Sequence, residues 1–276
     1  MTTTTQPMCI FHGNCADGFS AAWAVWLRHP DWSFHGASHG KDPPDVAGRD
    51  VYLVDFSYKR PVIEQMLRAA RSITILDHHQ SARDELADML PSKGFAGIID
   101  MDRSGCRLAW HWFHTATPPP PLLLHVEDRD LWRFALAGTA EIQEALFSYP
   151  YDFRTWSTLM LRYPIDALVR EGKAIRRKKM KAVHEFIQVA CRRMTICGFD
   201  VPALNAPYFY SSEAGHIMAG GEPFAACYWD TADGRVFSLR SSEAGEDVAK
   251  IAERYGGGGH ARASGFRAAI GWEGEP

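Results

Sequence analysis

Four short apolar runs in this 276-residue chain end on groups that can bind a cation or move a proton. Ser72-Ile73-Thr74-Ile75-Leu76 stops at Asp77-His78-His79, Cys9-Ile10-Phe11 at His12, Val51-Tyr52-Leu53-Val54 at Asp55, and Gly97-Ile98-Ile99 at Asp100. Runs this short, β-branched and apolar on both alternating faces read as strands buried in the middle of a sheet. In an open parallel sheet the carboxyl ends of neighbouring strands lie side by side and the ligand crevice lies just outside them. His12, Asp55 and His78 are therefore expected to converge. Neutral imidazoles mixed with carboxylates make a divalent-metal site of intermediate hardness, suited to manganese, iron or zinc more than to calcium.

Two more carboxylates fit the same rim. Asp17, in Gly13-Asn14-Cys15-Ala16-Asp17-Gly18, sits where a helix N-cap would sit, and capping would account for an isolated Asp there. Its place after His12 favours a ligand. Leu122-Leu123-Leu124-His125-Val126 ends in Glu127-Asp128-Arg129-Asp130. Such a run is ordinarily a solvated ion-pair cluster, but following an apolar segment it offers Asp128 as the last ligand, with Asp130 as runner-up. His35 and His39 have no partners in sequence and read as surface or loop residues. His111 and His114 share a helical face, which a plain helix surface explains as well.

The elements that must position these groups alternate. Helices are expected over Phe19–Leu27, Pro61–Ala70, from Ser81 onward, and from Ser104 to Phe113, with a further strand at Trp32–His35 and a loop at Lys41–Pro44. Strand–helix alternation at this spacing is the βαβ pattern of a parallel, helix-covered sheet. Pro118–Pro121 reads as a rigid extended connector. Ile165–Cys191 carries a helical apolar stripe (Leu168, Val169, Ile175, Val183, Phe186, Ile187) around the basic run Arg176-Arg177-Lys178-Lys179-Met180-Lys181. A charge run on a helix is most often a wet face; beside a metal crevice it would draw in phosphates.

Beyond it the texture changes. Met194–Cys197, Val201–Leu204, Phe224–Trp229 and Val236–Leu239 are strand-like, Asp233-Gly234 suggests a hairpin, and Glu246–Ala252 begins a helix. The fold class is thus α/β: a mainly parallel N-terminal sheet with helices on both faces (1–164), a long linker helix (165–192) and a smaller mixed α/β domain (193–276). In the latter, Gly256-Gly257-Gly258-Gly259 is costly in chain entropy for a plain loop. Such a run lets backbone N–H groups form an anion nest, with His260 and Arg262 following. Arg240-Ser241-Ser242 is a natural second phosphate clamp, since guanidinium binds phosphate in bidentate fashion.

Composition narrows the class. With 46% hydrophobic and 23% charged residues the chain is ordinary globular protein, and a net charge of −3 gives no global attraction to nucleic acid. Six cysteines without a C-x-x-C pair or framework spacing speak against a structural zinc or disulfide scaffold and fit a reducing cytoplasm. No leader is expected in Met1-Thr2-Thr3-Thr4-Thr5, and no apolar run approaches membrane-spanning length.

Taken together, His12…Asp17-Gly18, the Asp55 strand, Asp77-His78-His79 and Gly256-Gly257-Gly258-Gly259-His260-Ala261-Arg262-Ala263-Ser264-Gly265 resemble the DHH phosphoesterase superfamily with its associated C-terminal domain. That group includes RecJ-like exonucleases, nanoRNases, cyclic-dinucleotide phosphodiesterases and, more distantly, exopolyphosphatases. The resemblance covers nearly the whole chain, with both end motifs in order. It implies a two-metal site, with Mn2+ the expected cofactor and Mg2+ or another divalent ion as alternatives. His12 would bind one metal and Asp17 the other, Asp55 would bridge them, and His78 and Asp128 would complete the second site. Asp77 would orient His78, and His79 would meet the scissile phosphate. Gly257, Gly258, Gly259, His260, Arg262, Arg240 and Ser241 would hold the substrate's terminal phosphate or base. The family usually has two aspartates in its first motif; here the earlier one is missing, with Asn14 or Cys15 nearby and thiolate ligation through Cys15 one way to fill the place.

The resulting expectation is a divalent-metal-dependent phosphodiesterase that trims short single-stranded oligonucleotides or dinucleotides to mononucleotides, away from membranes, with a homodimer allowed. A phosphatase acting on polyphosphate or a nucleotide bisphosphate is the rival chemistry. The altered first motif motivates a third reading, a catalytically impaired nucleotide sensor.

Overall fold

The computed structural model describes residues 6–275; the leader expectation for Met1–Thr5 falls outside them. The chain divides into two compact units, Met1–Arg176 and Arg177–Pro276.

The first unit is built on five strands, β1 (Met8–His12), β2 (Ser33–Ala37), β3 (Asp50–Val54), β4 (Ser72–Asp77) and β5 (Phe95–Ile99), paired in the order β2-β1-β3-β4-β5 and parallel throughout. Helices α1 (Ala16–Arg28), α2 (Arg60–Ala69) and α3 (Gln80–Leu86) supply crossovers, and α4 (Gly105–Phe113) follows β5. Alternating strand residues feed two cores. Cys9, Val54 and Leu76 pack with Trp23 of α1 and Leu108 and Ala109 of α4. Ile10, Leu53 and Ile75 pack with Ile63 and Met66 of α2 and Leu86 of α3. Burying each large aliphatic side chain contributes about 1.5–3 kcal/mol, so register and the two helical layers fix each other. Strand order reverses between β1 and β3, the switch point where open α/β sheets leave a crevice.

After α4 the expected extended segment differs. Pro121 opens a helix, α5 (Pro121–Asp130), the proline standing in its first turn where its missing N–H is not needed. Two helices that the sequence reading did not assign, α6 (Thr139–Leu146) and α7 (Phe153–Leu161), follow. Their Ile142, Leu146, Trp156 and Leu159 close the α1 side of the core, and Trp23 donates its indole N–H to Ser157 Oγ at 2.8 Å.

Helix α8 (Ile165–Ala190) runs through the boundary between the units. Part of its basic run is paired: Lys179 with Glu213 at 3.0 Å and Lys181 with Glu185. The second unit carries β6 (Arg192–Ile196), β7 (Phe199–Asn205), α9 (Ser211–Met218), β8 (Ala225–Thr231), β9 (Gly234–Arg240), α10 (Val248–Glu253), β10 (Gly258–His260) and β11 (Ala263–Ala268). Its mixed sheet has the order β10-β11-β9-β8-β7-β6, parallel between β7 and β8 and antiparallel elsewhere. The β8–β9 hairpin turns at Ala232-Asp233. None of the described helices is long and apolar enough to cross a membrane.

Candidate metal centre

The carboxyl ends of β1, β3 and β4 bring His12, Asp55 and His78 together at the switch point. Asp55 Oδ1 lies 3.1 Å from His78 Nε2, and Asp55 Oδ2 lies 3.6 Å from His12 Nδ1. The donor sets that offer ligand atoms within 4.8 Å of one another include His12 with Cys15 and Asp55, Asp17 with His78 and Asp130, and Asp55 with Asp77 and His79. Asp55 belongs to the first and third of these and touches the second through His78.

Local backbone sets this up. Asp55 turns out of β3 with φ +55°, a left-handed conformation in which Asp and Asn are the least disfavoured residues after glycine. Its N–H donates to Leu76 O at 2.9 Å. Gly105, first residue of α4, lies against it: a Cβ there would stand 2.3 Å from the Asp55 Cβ. That position therefore admits only glycine without moving the carboxylate.

Asp17 is the second residue of α1, whose N-cap is Cys15, so it does not cap its own helix. Its Oδ1 accepts the Cys106 N–H at 3.1 Å and thus serves the start of α4, while its Oδ2 lies 3.9 Å from His78 Nε2.

Asp130, not Asp128, joins the centre, at 3.4 Å from His78 Nε2. The Asp128 carboxylate is occupied elsewhere, accepting Ala135 N–H at 2.8 Å, Leu136 N–H at 3.1 Å and Thr139 Oγ–H at 2.6 Å. It thereby ties down a turn in which Trp132 and Phe134 both hold positive φ. The reason for the exchange is the secondary structure. Residues two apart share a face of a strand but stand on nearly opposite faces of a helix, and α5 is a helix.

The role expected of Asp77 also shifts. Its Oδ1 accepts the backbone N–H of His78 at 2.7 Å, but the ring it holds is that of His79, through Nδ1 at 2.7 Å. His39, exposed in the turn after β2 as expected of a surface or loop residue, has its ring in this neighbourhood as well. Its ring lies 5.5 Å from that of His12 and 4.8 Å from that of Phe56. No sequence spacing connects it to the motif; the connection is spatial, just beyond the end of β2. His111 lies elsewhere on α4, and His114, just past its end, hydrogen-bonds Ala24 O through Nε2 at 2.8 Å.

The electrostatics are those of too many carboxylates in one dry place. Burial, then the charges of Asp55 and Asp130, pushes the Asp17 carboxyl well above its usual range, and burial likewise raises Asp130. Burial also opposes ionisation of Asp55, but the nearby imidazoles of His12 and His78 win and hold it well below. Burial would lower both imidazoles, yet the neighbouring carboxylates, Asp55 foremost, raise His12 and carry His78 well up. Burial raises the Cys15 thiol, reinforced by Asp55, Asp130 and Asp17. Asp17 Oδ2, Asp55 Oδ2 and Asp77 Oδ2 are buried without a hydrogen-bond partner among the described residues. Buried carboxylate oxygens normally have partners, and divalent cations would supply them. The donor set fits such ions.

In the second unit the glycine run differs from the expected loop. Gly258 and Gly259 belong to β10, paired with β11. A Cβ on Gly257 would stand 2.1 Å from Gly265 O, and one on Gly259 2.7 Å from Ala263 O, so close strand approach accounts for these two. Arg262 donates to the carbonyls of Gly245 at 2.8 Å and Glu243 at 2.9 Å, and Ser241 Oγ–H to Glu246 O at 2.6 Å. Both side chains thus brace the 241–246 loop. Arg240 bonds Ser238 Oγ, Leu239 O and Ser212 Oγ at 2.8–3.0 Å, and His260 ends β10.

No protein-family model matches the sequence. Among solved structures, the DHH domain of a member of a ribosomal-protein family matches 95% of this chain and 83% of its own, with a TM-score of 0.57 and 14% identity. The chain has the DHH-domain fold. The match extends over most of both units. RecJ of Thermus thermophilus in complex with Mn2+ is more distant, at a TM-score of 0.49 and 14% identity, covering 95% of this DHH-fold chain and 49% of RecJ. In sequence, an uncharacterized protein of Acanthamoeba polyphaga mimivirus is 29% identical over 286 aligned residues, 93% of this chain. The chain spans 66% of the length of that relative.

Proposed function

We propose that the protein is a divalent-metal-dependent phosphodiesterase acting on short single-stranded oligonucleotides or dinucleotides, with Mn2+ as the working ion. The observation that carries this reading is the placement of one buried carboxylate, Asp55, between two sets of imidazole and carboxylate donors at the switch point of a parallel sheet. Cations held there would lower the pKa of a water molecule and offset the charge of a phosphate. The chain's own groups do the rest. His12 and Asp55 would hold one position, and His78, Asp17 and Asp130 the other, on rigid strand and helix ends. Asp77, ionised, accepts the Nδ1–H of His79, which fixes that ring with Nε2 as the nitrogen that would address a phosphate oxygen. His260 and Arg240 are the candidates for a terminal phosphate, with Ser241, Arg262 and Gly257–Gly259 shaping the backbone around them. The acidic net charge favours small substrates over long polyanions, which need an extended basic surface.

A manganese-supplemented screen of linear and cyclic dinucleotides, short RNA and polyphosphate, run beside Asp55→Asn, tests it. Mononucleotide release from linear dinucleotide or short RNA, lost in the variant, is the expected result. Orthophosphate released from polyphosphate with no attack on dinucleotide would replace this reading with the phosphatase one. Binding without turnover would replace it with a sensor.

A further inference from the structure

Cys15 stands directly before α1, in the N-cap position, with extended backbone (φ −127°, ψ 138°) and no capping hydrogen bond from its side chain. Ser, Thr, Asp or Asn would be the ordinary choice there, so the thiol is not explained by the helix it precedes. Asn14, just before it, has φ +55°, and Gly13 is pinned to β2 by its N–H on Ala37 O at 2.8 Å; the turn between strand and helix is thereby set. It leaves the sulfur within 4.8 Å of ligand atoms of both His12 and Asp55. An independent observation points the same way: Asp55 Oδ2, on a residue only 1% exposed, faces this set with no hydrogen-bond partner among the described residues.

We propose that Cys15 is a thiolate ligand, so that the two cation positions differ in chemistry: nitrogen, sulfur and oxygen from His12, Cys15 and Asp55 at one, nitrogen and oxygen only from His78, Asp17 and Asp130 at the other. This rests on the metal-centre reading and deepens it. Binding replaces the S–H bond by a sulfur–metal bond and releases the proton to solvent. Thiolate selects borderline and softer ions such as Zn2+ or Co2+, whereas a set without sulfur suits Mn2+ or Mg2+. The His12 position is therefore a Zn2+-preferring site beside a Mn2+-preferring one.

Co2+ titration of the chelator-stripped full chain reads this without any assay of turnover, because cobalt shows d–d bands when bound and a near-ultraviolet charge-transfer band only when bound to thiolate. The wild-type chain and a Cys191→Ser control, altered at an exposed cysteine, are expected to show both. Cys15→Ser is expected to lose the charge-transfer band and keep d–d absorption from the other position, and Cys15→Asp to shift the Zn2+-over-Mn2+ preference toward Mn2+ in competition. Bound Co2+ with no charge-transfer band in the wild-type chain, or a band that survives Cys15→Ser, overturns the thiolate ligand and leaves the metal centre standing. No Co2+ binding at all overturns both.

Discussion

Asp55 Oδ1 and His78 Nε2 meet at 3.1 Å from the ends of two hydrogen-bonded neighbouring strands, and both residues are almost wholly buried. A carboxylate in that position, with its second oxygen toward His12, is the group whose loss should matter most. Asp55→Asn keeps the shape and removes the charge. Activity should fall by more than about 100-fold, the upper end of what losing an outer partner of a metal ligand costs, and Mn2+ binding followed by calorimetry should lose affinity at both positions. Undiminished turnover would mean that the chemistry lies elsewhere.

Gly105 offers a test that touches no ligand. Gly105→Ala would bring a methyl group to 2.3 Å from the Asp55 Cβ, and overpacking of a dense interior costs about 1–3 kcal/mol. Urea unfolding should show that loss, and Mn2+ affinity should weaken with it because the carboxylate must move. Stability lowered with metal affinity intact would show that the close approach serves packing alone.

Asp128 and Asp130 separate stability from binding. Asp128→Ala removes three hydrogen bonds to a charged acceptor, of which even one is worth about 1.5–3 kcal/mol. The unfolding midpoint should drop while metal stoichiometry persists. Asp130→Asn should do the reverse, weakening metal binding while leaving the metal-free chain at least as stable, since it removes a carboxylate whose ionisation burial opposes. If Asp128→Ala instead abolished binding in a folded chain, the ligand assignment would have to be exchanged.

His39 gives a pH dependence. Burial, then the neighbouring His12 and His79, lowers its imidazole to about 4, against about 6.5 in an unfolded chain. Between those values the unfolded state binds the extra proton, so this group's contribution is present above pH 6.5 and lost as pH falls toward 4. Chemical unfolding of the metal-free chain at pH 7 and pH 5 should show a change less favourable to the folded state at pH 5 in the wild type than in His39→Phe. The difference should be small because His39 is exposed, and it is superposed on the opposite contributions of the raised His12, His78, Asp17 and Asp130. An equal change in that variant would leave His39 no part in the acid response.

Much of the first sheet could be read from the chain because its strands are short, β-branched and end on polar groups; the parallel order places those ends together whatever their separation in sequence. Hence His12, Asp55, His78 and Asp17 arrive at one rim. Asp130 was obscured by Leu122–Val126, an apolar run too short for periodicity to separate helix from strand, and the choice between Asp128 and Asp130 turns on that distinction alone. Helix α6 carries a weak start signal, opening after Gly138 with no side-chain cap, whereas α7 opens on a capping Asp152 that the sequence reading did not use. His39 was hidden for another reason, since packing of aromatic rings between loops leaves no periodic trace.

The left-handed backbone at Asp55 places two independent filters on one position. Conformation admits glycine, asparagine or aspartate at little strain, whereas cation binding at a shared carboxylate admits aspartate or glutamate. Only aspartate passes both. A conservative exchange to glutamate would thus be penalised by the main chain before its longer reach could be judged, and asparagine, which satisfies the main chain and fails the chemistry, is the replacement that isolates what the charge does.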